Sequence, residues 1–128
     1  MRAGDTFKLL DTTIDDHLWV VISDPLLDVA DPVVIVNLTT CREGRTNPTC
    51  ILEPGDHPFV RHPTAVRYEA ALDVSNPGLE GRANDGSIVL QGQLRPSVLD
   101  RIRRGATEPR SGIPEACRQI LLKQGLIE

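Results

Sequence analysis

The sequence predicts an α+β domain in which five or six short strands precede two helices, and three observations predict it. The runs at 17–23 and 33–38 are apolar, rich in β-branched side chains and bounded by turn formers, which marks short buried strands and not helices. Little helical pattern separates one strand candidate from the next, so neighbours are expected to pair antiparallel through short links. After Gly92 the hydrophobic period changes to 3.6, which gathers the helices at the end of the chain.

The elements follow in order. The first strand, 5–10, opens just after Gly4, and 11–16, with three Asp and two Thr around Ile14, reads as a hairpin loop. The second strand, 17–23, leads through a Pro- and Asp-rich connection at 24–32 to the third at 33–38. A polar loop at 40–49 carries Arg42, Arg45 and Pro48, and a short strand at 50–53 stops at the tight turn that Pro54 and Gly55 favour. His57 and His62 each precede a proline, which holds them extended. Residues 66–72 alternate as a further strand, with Val66, Tyr68, Ala70 and Leu72 on one face. Residues 73–86, with two Asn, three Gly and a Pro, read as an exposed excursion holding one short helical turn, and 87–91 returns as the last strand. Pro96 then opens a helix over 96–104 with Val98, Leu99 and Ile102 on one face. After a polar break at 106–112 a second helix spans 114–124, with Ala116, Cys117, Ile120 and Leu121 inward. Gly125 stops it, and Leu126 folds back on Leu121. The whole is one domain over 1–128, a small SH3-like antiparallel β-barrel with C-terminal helices.

Composition narrows the class. A chain of 128 residues, 40% hydrophobic and 25% charged, builds one core without needing disulfides. Its apolar runs are far too short to cross a bilayer, and its first residues lack a signal peptide's apolar core, so no membrane association and a cytoplasmic location are expected. Three cysteines cannot all pair, which argues for free thiols in a reducing compartment. Cys41, Cys50, His57 and His62 can be written as a zinc site, but their spacings miss the usual short knuckle; a Cys41–Cys50 bridge stays open as well. No metal and no cofactor is expected. A net charge of −4 excludes a general nucleic-acid coat protein and gives no reason to expect DNA binding by the chain alone. Twelve of the fourteen cations are nonetheless Arg, the side chain suited to forked phosphate recognition.

Ser23 and Asp24 end the second strand, and Asn37, Thr39 and Thr40 end the third. The two ends are expected at one rim, offering hydroxyls and an amide to a phosphate or a peptide. Taken with Gly4 and Asp5 before the first strand and 87–94 before the helices, these pieces resemble the MazF/PemK-type toxin family. The resemblance covers most of the chain. It implies a homodimeric barrel that cuts single-stranded RNA without metal and is bound by an antitoxin protein. The family uses an Arg just before the second strand and a Ser or Thr after the third. The Thr-Ser pair falls on Thr39 and Thr40, whereas the place of the Arg holds Asp16 and His17.

RNA cleavage needs a group to take the 2′-hydroxyl proton, one to protonate the leaving oxygen, and positive charge on the phosphate. His17 with Thr39 and Thr40 are the candidate catalytic residues, and Arg61, Arg67, His57 and His62 the candidate substrate-binding ones. Each has a plainer reading beside it. His17 begins a strand, Thr39 and Thr40 end one, and His57 and His62 fix loop backbone. Trp19 reads as core or barrel rim, and aromatics at 3% speak against base stacking as a general binding mode. The missing Arg opens an alternative, a catalytically inactive barrel of the same kind that binds a protein partner. No G-x-S-x-G, phosphate-binding glycine loop or H-E-x-x-H competes with these readings.

Overall fold

The β-branched runs do pair, and they pair antiparallel throughout. The computed structural model describes residues 1–9, 17–25, 32–41 and 49–127. The expected loop at 11–16, most of the connection at 24–32 and most of the polar loop at 40–49 lie outside the described residues. Six strands form one curled sheet: β1 (Asp5–Leu9), β2 (Trp19–Val21), β3 (Pro32–Thr40), β4 (Ile51–Leu52), β5 (Thr64–Ser75) and β6 (Ile88–Gln93), in the order β4-β5-β3-β2-β1-β6. Helix α1 (Asn76–Asp85) joins β5 to β6, and α2 (Pro96–Ala106) and α3 (Glu115–Lys123) follow, with a single 3-10 turn at Pro109–Ser111 between them.

Alternation along the strands gives the sheet two apolar faces. One, built from Leu18, Val20, Val34, Val36, Leu38, Val66 and Tyr68, packs against Val98 and Ile102 of α2 and Cys117 and Leu121 of α3. The other, built from Phe7, Val21, Val33, Ile35 and Ile88, is met by Leu79 of α1. We call these the α2/α3 face and the α1 face.

Three expectations change. The set Val66, Tyr68, Ala70 and Leu72 does not share a face. Asn37 pairs with Arg67 but Ile35 pairs with Leu72, so two steps on β3 match five on β5. The three extra residues bulge, and an odd insertion reverses the alternation. Ala71 therefore joins the core beside Val66 and Tyr68, and Leu72 emerges on the α1 face with half its surface exposed. The second change is α1, ten residues where one helical turn was expected. The Ser75 hydroxyl accepts from Gly78 N, Pro77 stands in the first turn, and Gly86 closes the end. These caps carry a segment whose one buried side chain is Leu79. The third concerns the rim. Because β2 and β3 run antiparallel, Ser23 sits beside Val34, whose N–H donates to its hydroxyl at 2.8 Å, at the opposite end from Thr39.

The helical end follows the sequence closely. Leu126 N donates to Leu121 O and Gly125 N to Leu122 O, both at 3.0 Å, with Gly125 at φ 70°. That is the Schellman geometry, in which the left-handed residue favours glycine.

Candidate functional site

The β2–β3 register decides what faces what. Trp19 pairs with Asn37, and one step on Leu38 N donates to Leu18 O at 2.9 Å. His17 lies two residues before the start of β2, and the same register continued past Leu18 runs its backbone toward Thr39. On the next strand Asn37 pairs with Arg67 and Thr39 with Ala65. One row, Trp19–Asn37–Arg67, thus crosses the α1 face, and the pair Thr39–Ala65 lies in the next. Facing side chains in such rows lie about 4.5–5.5 Å apart at Cβ. The sheet brings one carboxamide and one guanidinium into a row, with one hydroxyl in the row beside it.

Each is held by its surroundings. The Arg67 Nε lies 3.3 Å from Glu69 Oε1 on the same strand, and both side chains are largely exposed, so this pair orients more than it stabilises. Asn37 is only 6% exposed, and its Oδ1 has no hydrogen-bond partner among the described residues. A buried amide oxygen without a partner costs about 1–3 kcal/mol. Trp19 is half-buried and lies parallel to Phe7, with ring centroids 6.5 Å apart.

The other expected residues lie elsewhere. Thr40 alternates onto the opposite face, where its hydroxyl is 3.4 Å from His62 Nε2 at the exposed rim. Arg61, also exposed, stands in the loop beside His62. His57 is a loop pin. It is 3% exposed, and its Nδ1 accepts from Phe59 N at 3.0 Å, so Nε2 carries the proton. That N–H points to Gln91 O at 2.9 Å and to the Thr6 hydroxyl at 3.1 Å, while Thr6 itself donates to Gly92 O at 2.8 Å. These contacts bind the carbonyls of a β6 bulge in which Gly92 takes φ 85°. Both ring nitrogens are engaged, which leaves neither for a substrate. All three thiols are free, and no group of three or more His, Cys, Asp or Glu is placed to hold a metal among the described residues.

No protein-family model and no curated protein matches this chain. The reading of the site therefore rests on its own geometry. A feature the sequence analysis missed adjoins it: a groove of about 340 Å³ between α1 and the sheet, walled by Phe7, Trp19, Leu72, Leu79 and Arg82. Its signal in the sequence is slight, because it depends on the β5 bulge that turns Leu72 outward and on the full length of α1.

Proposed function

We propose that this protein is a metal-independent endoribonuclease of the MazF/PemK kind, an SH3-like barrel that cuts single-stranded RNA as the toxin of a toxin–antitoxin pair. The observation that supports the reading is the register that sets Thr39 one row from Asn37 and Arg67, with His17 two residues ahead of β2 in the chain. His17, Thr39 and Arg67 supply the base, the donor and the positive charge that cleavage requires. His17 takes the 2′-hydroxyl proton as the 2′ oxygen bonds to phosphorus. Solvent water on the opposite side supplies the proton to the departing 5′ oxygen as the phosphorus–oxygen bond breaks. The Thr39 hydroxyl donates to a non-bridging oxygen, and Arg67 leaves Glu69 to offset the charge that builds on the phosphate. The products are a 2′,3′-cyclic phosphate and a 5′-hydroxyl. DNA, without the 2′-hydroxyl, is not cut.

The test is incubation of the purified protein with single-stranded RNA in the presence and absence of a chelator. Cleavage to cyclic-phosphate ends, unchanged by chelation, is expected. A protein that leaves every single-stranded RNA intact moves the conclusion to the second reading, an inactive barrel that binds a protein partner. One observation favours that alternative: the family's Arg is replaced at Asp16 and His17.

The same reading carries an antitoxin partner, a cytoplasmic location and a homodimer. The edge strand β6 gives the dimer a physical reason, since Val89 and Leu90 are 40% and 55% exposed on the last strand of the sheet. Light scattering at tens of micromolar is expected to return twice the 14.0 kDa chain mass, and a monomer mass overturns it.

A further inference from the structure

We infer that the groove between α1 and the sheet is the subsite for a nucleobase adjoining the cleaved phosphate, with Trp19 as its stacking wall. This rests on the ribonuclease reading and extends it to one element of the substrate.

Position is the first argument. Trp19 opens β2 and pairs with Asn37, which pairs in turn with Arg67, and neighbouring strands lie about 4.7–4.9 Å apart. The indole wall therefore stands in the same cross-strand row as the proposed phosphate clamp, within reach of a base on a nucleotide whose phosphate lies over Arg67. Lining is the second argument. The groove is walled chiefly by apolar side chains, with Trp19 and Leu72 available to the flat faces of a ring and one cation, Arg82, available to a neighbouring phosphate. A planar aromatic body with an attached anion has that same division, apolar in the middle and negative at its margin. Size is the third. About 340 Å³ lies at the small end of ligand pockets and takes a nucleoside-sized body. The fourth argument is Asn37, the cross-strand neighbour of Trp19, whose buried Oδ1 has no partner among the described residues. That leaves an acceptor at the strand position paired with the groove's Trp19 wall.

Trp19 is the only tryptophan in the chain, so its fluorescence reports on this groove alone. The experiment titrates short single-stranded RNA, carrying a 2′-O-methyl backbone that blocks cleavage, into the whole protein and follows Trp19 emission. Cleavage of unmodified RNA is measured in parallel. Saturable quenching is expected. Trp19→Ala is expected to weaken RNA affinity by about 5- to 150-fold, the range for one aromatic–base stack, and Trp19→Phe to restore most of it. Leu72→Glu guards against a folding artefact, because Leu72 is 49% exposed and its replacement puts a negative charge at the groove without opening the core. It is expected to weaken binding comparably while leaving the melting temperature unchanged. If RNA is cut normally but neither the emission nor the Leu72→Glu variant responds, the groove serves something else, an apolar side chain of a protein partner first of all. The inference then falls while the ribonuclease reading stands. If the protein neither binds nor cuts RNA, both fall together.

Discussion

At the scale of single residues, the proposed ribonuclease reading depends on His17 more than on any arginine. It occupies the place where the resembled family keeps its Arg, two residues ahead of β2. His17→Ala is expected to lower RNA cleavage by about 10²–10⁴-fold, the range for a lost general acid or base, with the denaturant midpoint unchanged. Equal activity in the variant would remove the imidazole from the mechanism. Asn37 makes the complementary case. Its buried oxygen has no partner among the described residues, so Asn37→Leu, of the same γ-branched shape, is expected to raise stability by about 1 kcal/mol in denaturant melts. On the proposed ribonuclease reading the same variant is expected to lose cleavage activity, the usual trade between stability and function. A stability loss would mean that the amide is a structural member of the sheet.

At the scale of elements, the tightest junction lies where α2 crosses β5. The Tyr68 hydroxyl donates to Ile102 O at 2.7 Å, deep in the core, and Gly105 lies directly over it. A Cβ at Gly105 would stand 2.2 Å from that hydroxyl and 3.0 Å from the Cys50 Cβ. Two effects oppose each other here. Gly→Ala inside a helix ordinarily gains about 1 kcal/mol, whereas overpacking a filled core costs about 1–3 kcal/mol. At 2.2 Å the clash wins, since the hydroxyl has to leave its carbonyl to make room. Gly105→Ala is therefore expected to destabilise by about 2 kcal/mol in urea titration, and the double variant Gly105→Ala with Tyr68→Phe to recover part of it. Gly105→Ala alone as stable as wild type would show that α2 shifts freely on the sheet.

At the scale of the whole molecule, the core holds protons that an unfolded chain releases sooner. Burial pushes the Tyr68 hydroxyl and the Cys50 thiol up, and pushes the Cys117 thiol to about 11. A raised folded pKa means that the folded state keeps the proton more tightly. This contribution is thus complete below the unfolded thiol value of roughly 8.5 and is lost as pH rises through the folded values. Stability is expected to fall from about pH 9 upward. Cys117 accounts for at most about 2 kcal/mol of the loss between pH 8.5 and 10, at about 1.4 kcal/mol per pH unit. Denaturant melts at pH 7 and pH 10 check this, and Cys117→Ala is expected to narrow the difference between them. An unchanged difference would exclude the thiol as a source.

By itself the sequence determined the α+β order, the six strands, the helices after residue 95 and the Schellman stop at Gly125. These depend on local period, caps and turn residues, which act over a few positions and can be read there. The candidate pair His17 and Thr39 was named from the family resemblance and not from those local signals. Only the tertiary structure showed the antiparallel register of β2 and β3, which pairs Trp19 with Asn37 and carries Ser23 to the far end from Thr39. It likewise sent Thr40 and His62 to the other face, locked His57 into a β6 bulge, and turned Leu72 outward through three extra residues in β5. A bulge is invisible to alternation because it interrupts the period on which alternation depends. The groove beside Trp19 needs that bulge, the ten residues of α1 and the pairing of three strands at once, and no single stretch of sequence holds all three.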